Sequence, residues 1–240
     1  MSTEKPVIVL VHGAFAESAS WNRVLGRLRT AGLTAVAVGN PLRDVAGDAA
    51  YVRDAVASIG GPVILAGHSY GGMVITEAAA GNPGVRGLVY VAGFAPDAGE
   101  SAFLLSGKFD GSTLAGALTA YPVTSGGNEF RIIDDRYHGQ FCADLDEGEA
   151  ALLAATQRPV TERALTGTLT SGEPAWRTTP SWFVFGGGDR NIPAAAMRFM
   201  AERAGARGTR EVAAASHAIA ASQPDAVTAT LLDAVDGCRG

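Results

Sequence analysis

A serine flanked by glycines carries the strongest chemical signal in the sequence. Residues 67–72 read GHSYGG, so Gly67 lies two positions before Ser69 and Gly71 lies two positions after it. The motif follows the apolar run 63–66 and precedes a helix-like stretch, and a serine in so sharp a turn projects its hydroxyl outward. Glycines on both sides let the strand and the helix approach without a side-chain clash. The pattern predicts that Ser69 is a nucleophile.

A serine hydroxyl is a weak nucleophile, so it needs a base within hydrogen-bond reach and a third group that orients the base. The chain has four histidines. His217 follows the last predicted strand and should emerge at the same sheet edge as Ser69. We expect His68 to point away from Ser69 across the strand, whereas His12 and His138 lie in the first turn and in an inserted segment. The sequence therefore favours His217 as the base.

The orienting acid is predicted to be Asp189. Residues 183–189 read FVFGGGD, a strand that breaks into a turn and presents a carboxylate. Asp189 precedes His217 by 28 positions (217 minus 189), which leaves room for one helix and one strand. The chain order serine, aspartate, histidine fits this arrangement. Asp97, which follows the predicted strand 87–91, is the alternative.

A tetrahedral oxyanion requires preorganised backbone N–H donors. Tyr70, the residue after the nucleophile, opens a helix, where unpaired N–H groups and the helix dipole converge. The second donor should come from the turn after the first strand, residues 12–15. Ala14 is predicted as that donor, with Phe15 as the alternative.

Short apolar runs alternate with amphipathic stretches along most of the chain. Such alternation is typical of an α/β fold with a mostly parallel central sheet flanked by helices. Strands are predicted at 7–11, 34–38, 63–66, 87–91, 181–185 and 210–214. Helices are predicted at 20–31, 48–59, 70–81, 193–204 and 224–235.

The segment 97–176 breaks this alternation, because it shows no clear strand and contains short helix-like pieces such as 147–155. It is too long for an ordinary loop. We interpret it as a helical lid inserted into a core formed by residues 1–96 and 177–240, and we call it the lid segment. A separate small domain or a linker is the alternative. We expect the lid segment to contact only the substrate body, with the catalytic residues assembled without it. The predicted substrate-binding residues are Phe15, Phe94, Leu104, Leu105 and Leu118.

The composition is that of a globular protein, with 47% hydrophobic and 18% charged residues. The net charge of −5 argues against a nucleic-acid partner. No apolar run approaches the length of a membrane helix, and the N-terminus shows no signal-peptide pattern, so we expect a cytoplasmic protein with no membrane partner. The expected partner is a small ester-like molecule. The oligomeric state stays open, with a homodimer as one alternative.

No cofactor and no metal are expected. His138 and Cys142 lie four positions apart, but two ligands without companions do not form a zinc site. The glycines at 186–188 do not match a phosphate-binding loop, because neither a dinucleotide-binding nor a Walker pattern is present.

These motifs together resemble the α/β-hydrolase superfamily, and more narrowly the branch of plant methylesterases, hydroxynitrile lyases and related bacterial esterases. The matching pieces span nearly the whole chain: 11–14, Trp21, 67–72, 92–94 with 96–97, 188–193 and 216–217. The resemblance implies the α/β-hydrolase fold and an acyl-enzyme mechanism. The lyases of this branch look as though they require a lysine directly after the catalytic histidine, and Ala218 occupies that position here.

Hydrolysis of a small or medium apolar carboxylic ester is therefore the predicted activity. The apolar residues of the lid segment favour such a substrate. Two alternatives stay open. One is a lactonase, cyclase or other secondary-metabolite tailoring enzyme that uses the same triad, and the other is a non-catalytic ligand receptor.

Overall fold

The computed structural model describes residues 5–238, so the first four and the last two residues of the predicted core lie outside the described residues. Within that range the strands are β1 (Val7–Val11), β2 (Ala35–Val38), β3 (Val63–His68), β4 (Val85–Val91), β5 (Leu118–Pro122), β6 (Asn128–Ile132), β7 (Val160–Thr161), β8 (Ser181–Gly186) and β9 (Gly208–Val212). The α-helices are α1 (Asn22–Thr30), α2 (Val45–Ile59), α3 (Gly71–Ala79), α4 (Ala102–Ser106), α5 (Asp134–Phe141), α6 (Glu147–Thr156), α7 (Glu162–Thr166), α8 (Ala194–Arg203), α9 (Ile219–Ser222) and α10 (Pro224–Gly237).

A parallel sheet of six strands, ordered β2-β1-β3-β4-β8-β9, forms the centre of the described residues. Helices must cover both faces of such a sheet, so its inner strands are continuous apolar runs. Every residue of β3 and β8 is buried. The predicted fold class, a mostly parallel sheet flanked by helices, is confirmed.

Opposite faces of the sheet carry different helices. On β4, a Cβ at Gly87 would lie 3.0 Å from the sulfur of Cys238, at the end of α10. Tyr90 lies three residues further along and therefore faces the other way, and its hydroxyl is 2.8 Å from Thr76 Oγ1 on α3. α1 packs against α10, and α2 packs against α3, so each face is covered by a helix pair.

None of the helices within residues 5–238 combines the length and the apolar composition needed to cross a membrane. The cytoplasmic location stays a prediction.

The carboxyl ends of the sheet strands meet at one edge, because all six strands run in the same direction. Ala14 follows β1, Ser69 follows β3, Asp189 follows β8 and His217 follows β9. These residues are up to 203 positions apart (217 minus 14) in sequence. Their common edge is where a ligand of this fold would bind.

The lid segment is not purely helical, which corrects the sequence prediction. It contains α4, α5, α6 and α7, but also an antiparallel sheet in the order β5-β6-β7. β5 shows no alternation of apolar and polar residues, because most of its residues are exposed. It ends at Pro122, which has no backbone N–H to donate, and this is tolerated because β5 is an edge strand. The β5–β6 turn contains Gly126 and Gly127, whose φ angles are 91° and 80°. Glycine adopts such angles without strain.

Candidate active site

Ser69 occupies a strained turn between β3 and α3. Its φ angle is 53°, a left-handed conformation that a residue with a side chain seldom adopts. The approach of strand and helix is so close that a Cβ at Gly67 would lie 2.4 Å from the carbonyl oxygen of Gly71. Only glycine fits there, so the GHSYGG motif forms the predicted turn and carries Ser69 to the strand ends.

Asp189 and His217 form a buried hydrogen-bonded pair. Asp189 Oδ2 lies 2.6 Å from His217 Nδ1, and neither side chain is exposed to solvent. Asp189 Oδ1 accepts hydrogen bonds from the backbone N–H groups of Asn191 (2.7 Å) and Ile192 (2.9 Å). Because an ionised carboxylate can only accept hydrogen bonds, the Nδ1 atom of His217 carries the proton. The Nε2 atom is then free to act as a base.

The Nε2 atom of His217 is buried and has no hydrogen-bond partner within residues 5–238. No hydrogen bond joins it to Ser69 Oγ there; such bonds are often long before substrate binds. His68, the neighbour of Ser69, links the two loops instead. The Nε2–H of His68 donates to the carbonyl oxygen of His217 (2.9 Å), and the two rings lie 4.7 Å apart.

The contacts of His68 add to the sequence analysis, which expected this ring to point away from Ser69 and did not predict a contact with His217. Both the ring contact and the hydrogen bond bring His68 against His217 instead. Burial lowers the pKa of His68 to about 3, so the ring is neutral at physiological pH. Sequence analysis missed this contact because no local pattern indicates which side chain a histidine at the end of a strand will contact.

His12 is buried, and both nitrogens of its ring form hydrogen bonds with backbone groups. Its Nδ1–H donates to Gly13 O (2.9 Å), and its Nε2 accepts the backbone N–H of Asn40 (2.9 Å). Burial lowers the pKa of His12 to about 4, because a charged ring would be desolvated and would lose the Asn40 bond. His138 lies on α5, where its Nε2 is 2.9 Å from Leu145 O.

The two predicted oxyanion donors lie beside Ser69. A Cβ at Gly13 would fall 2.6 Å from Ser69 Cβ and 3.2 Å from the backbone nitrogen of Tyr70, so the first turn abuts the nucleophile. The backbone N–H groups of Ala14 and Tyr70 have no hydrogen-bond partner among the described residues. The N–H of Phe15 already donates to Arg158 O (3.0 Å), which favours Ala14 over Phe15 as the second donor.

The side chain of Tyr70 anchors the nucleophile turn to α2. Its hydroxyl donates to Asp48 Oδ2 (2.9 Å), and Asp48 also accepts the backbone N–H of Arg43 (3.1 Å). Burial raises the pKa of both Asp48 and Tyr70. The pair anchors the side chain of Tyr70, the residue whose backbone N–H is a predicted oxyanion donor.

A cavity of about 460 Å³ opens onto Ser69. Four of the predicted substrate-binding residues line it: Phe15, Phe94, Leu104 and Leu118. Most other lining side chains are apolar, and they include Phe103, Leu114, Leu165 and Ile192. Sequence analysis did not predict Leu165 or Ile192 as substrate-binding residues. Ile192 could have been predicted, because it lies only three residues after Asp189.

Leu105 does not line the cavity, which corrects the sequence prediction. Leu104 and Leu105 are neighbours on α4 and therefore point about 100° apart. Leu104 is 58% exposed at the cavity, whereas Leu105 is 1% exposed and belongs to the hydrophobic core.

Asp97, the alternative acid, makes different contacts. Its Oδ2 accepts a hydrogen bond from Arg177 Nη2 (2.7 Å), and its Oδ1 accepts the backbone N–H of Ala98 (2.8 Å). The carboxylate that contacts His217 is therefore that of Asp189.

The sequence model of the Alpha/beta hydrolase family matches residues 8–230, nearly the whole chain. The chain belongs to the α/β-hydrolase family. The family resemblance predicted from the motifs is thereby confirmed. The chain is 35% identical over 112 residues to a probable hydrolase, R7, of Phoma sp., a match that covers 40% of this chain and 46% of the relative. It is 38% identical over 113 residues to a carbendazim hydrolyzing esterase of Nocardioides sp., covering 42% of this chain and 47% of the relative.

The matched region thus spans about half the length of these curated relatives. Among solved structures, the chain is similar to polyneuridine aldehyde esterase, with a TM-score of 0.82, 21% identity, and coverage of 96% of this chain and 99% of that chain. At this identity the likeness shows the fold alone.

Proposed function

We propose that this α/β-hydrolase is a serine esterase that cleaves a small or medium apolar carboxylic ester. One observation carries the proposal: Ser69 lines an apolar cavity of about 460 Å³, and His68, the residue directly before it, contacts the buried Asp189–His217 pair. A cavity of this size suits a small organic molecule, and apolar walls favour a substrate without charges. Family membership and the hydrolase and esterase names of the relatives agree with this reaction class.

The proposed reaction begins with attack of Ser69 Oγ on the ester carbonyl carbon, while His217 Nε2 takes the hydroxyl proton. The tetrahedral oxyanion accepts hydrogen bonds from the N–H groups of Ala14 and Tyr70. Collapse of the intermediate breaks the bond to the leaving oxygen, which takes the proton from His217 and departs as an alcohol. Asp189 holds the imidazole orientation and stabilises the imidazolium.

Water then repeats the sequence on the acyl-enzyme. His217 removes a proton from the water as its oxygen attacks the acyl carbon, and the proton passes to Ser69 as the carboxylic acid leaves. No cofactor or metal enters these steps.

A panel of p-nitrophenyl esters with increasing acyl length tests this proposal, with Ser69→Ala as the control. We expect the wild-type protein to hydrolyse the shorter members and Ser69→Ala to lose that activity. Wild-type protein that hydrolyses none of the esters would contradict the proposal. Turnover of lactones in that case would favour the tailoring alternative, and absence of any turnover would favour a ligand receptor.

A further inference from the structure

Helix α5 of the lid segment turns one face toward the catalytic loops. Tyr137, Gln140 and Phe141 are spaced i, i+3 and i+4 on this helix, so they share a face. All three side chains are buried. Each contacts a different loop at the carboxyl ends of the sheet strands, and we call this set the α5 face.

Tyr137 contacts the loop that carries the candidate oxyanion donor Ala14. Its hydroxyl donates to the carbonyl oxygen of Phe15 (2.7 Å), and the N–H of Phe15 donates to Arg158 O (3.0 Å). Phe15 has a φ angle of 61°, a left-handed conformation that is strained for an aromatic residue. Such a conformation persists only when the surroundings hold it, and here the lid segment holds both backbone groups.

Gln140 contacts the loop that follows Asp189. Its Nε2 donates to Arg190 O (2.9 Å) and to Asn191 Oδ1 (2.7 Å), while its Oε1 accepts from Thr113 Oγ1 (2.8 Å). The N–H of Asn191 in turn donates to the Asp189 carboxylate. The amide of Gln140 therefore fixes the turn that orients the acid.

Phe141 contacts His217 itself. The two rings meet edge to face with centroids 5.0 Å apart, and Phe141 O accepts the N–H of Ala218 (2.9 Å). Shortly after α5, Asp144 accepts a hydrogen bond from the hydroxyl of Ser216. The ring of His217 and both of its sequence neighbours are thus in contact with the lid segment.

We propose that the α5 face positions the catalytic machinery, with Tyr137, Gln140 and Phe141 as positioning residues. The lid segment then has two functions: residues 102–118 form much of the cavity wall, and α5 aligns the oxyanion, acid and base loops with one another. The expectation that the triad assembles without the lid segment is replaced by this inference. The inference rests on the proposed serine-esterase function.

Two conservative substitutions test the α5 face, each with a matched control in the same segment. Tyr137→Phe removes one hydroxyl, and Tyr121→Phe removes the hydroxyl that donates to Glu129 Oε2 on the β5–β6 hairpin. Phe141→Leu removes the ring beside His217, and Phe130→Leu removes a ring on β6, away from the cavity lining.

We expect Tyr137→Phe and Phe141→Leu to lower kcat by roughly 10- to 100-fold, with KM changed by less than about threefold, because misaligned loops impair the chemical step more than binding. The rate constant for fluorophosphonate labelling of Ser69 should fall in parallel. The two controls should stay within about twofold of wild type in both readouts. Melting temperatures of all four variants identify any that fail to fold.

The inference is overturned when folded Tyr137→Phe and Phe141→Leu retain wild-type kcat and labelling rates, or when KM rises at constant kcat. The labelling readout separates this inference from the proposed function. If wild-type protein is labelled at Ser69 but cleaves no ester, the proposed function fails, and the labelling rates of the variants still decide the role of α5. A wild-type Ser69 that does not react would overturn both.

Discussion

Asp189 Oδ2 lies 2.6 Å from His217 Nδ1, and the other oxygen of the same carboxylate is held by the N–H groups of Asn191 and Ile192. An amide at position 189 could keep the backbone contacts through its oxygen, yet its NH₂ group would face Nδ1 and favour the wrong tautomer. We expect Asp189→Asn to fold and to lose about 10,000-fold in kcat.

The control for this substitution is Asp97→Asn. Asp97 pairs with Arg177 at 28% side-chain exposure, so its loss should leave kcat nearly unchanged. Steady-state kinetics on one p-nitrophenyl ester compares the two variants. A larger loss in Asp97→Asn than in Asp189→Asn would assign the acid role to Asp97.

Removal of either the nucleophile or the base should abolish most activity. Triad members act as a unit, so Ser69→Ala and His217→Ala should each lower kcat by about a millionfold. Peptide mass mapping after organophosphate treatment should locate the label on Ser69. A variant that keeps a tenth of the wild-type rate, or a label on another serine, would refute the assignment.

Neighbouring leucines of α4 should give opposite phenotypes. Leu104 lines the cavity, so Leu104→Ala should shift the ratio of kcat/KM between short and long esters by roughly 10- to 200-fold at most. Leu118→Ala should act in the same way. Leu105 is buried in the core, so Leu105→Ala should lower the free energy of unfolding by about 2–5 kcal/mol instead.

Kinetics with two ester lengths and urea denaturation distinguish these outcomes. A change of chain-length preference in Leu105→Ala at unchanged stability would contradict the assigned orientation of α4.

Two buried neutral histidines should make stability depend on pH. Burial lowers the pKa of His12 from its ordinary value of 6.5 to about 4, and that of His68 to about 3. As pH falls from about 6.5 toward 4, the unfolded chain binds protons at these sites that the folded chain does not. The free energy of unfolding should therefore decrease on acidification, with a slope of up to about 1.4 kcal/mol per pH unit from each histidine.

Urea unfolding at several pH values between about 7 and 5 measures this slope. Residue 12 cannot titrate in the His12→Gln variant, so the slope of this variant should be shallower, by up to about 1.4 kcal/mol per pH unit near pH 5. An identical slope in the variant and the wild type would show that folding does not lower the pKa of His12.

The signals that predicted the fold and the central site residues are local in sequence. The runs that became β3 and β8 are apolar because both faces are covered, and each ends in a glycine-containing turn that carries Ser69 or Asp189. Because the strands of the sheet are parallel, those turns lie at the same edge of the sheet, and no other feature of the sequence is needed to predict this. His217 could be selected because its position after the last strand leads to the same edge.

The features that sequence analysis missed depend on side-chain direction or on distant partners. Leu104 and Leu105 are chemically identical, and only the rotation of α4 separates the cavity side from the core side. The bond from Tyr137 to Phe15 joins residues 122 positions apart. No spacing rule within α5 indicates which loops its face will meet.

The contacts of α5 also set a boundary for protein engineering. A foreign lid inserted between residues 97 and 176 would replace much of the cavity wall, but it would also remove the lid groups that bond to Phe15, Asn191 and Ala218. A chimera designed to accept a new substrate should therefore retain Ser112, Thr113, residues 134–144 and Arg158, and exchange the other residues of the lid segment up to 133. The same restriction applies to the evolution of new substrate specificity, because residues of the cavity wall can vary freely only where they do not also hold a catalytic loop in place.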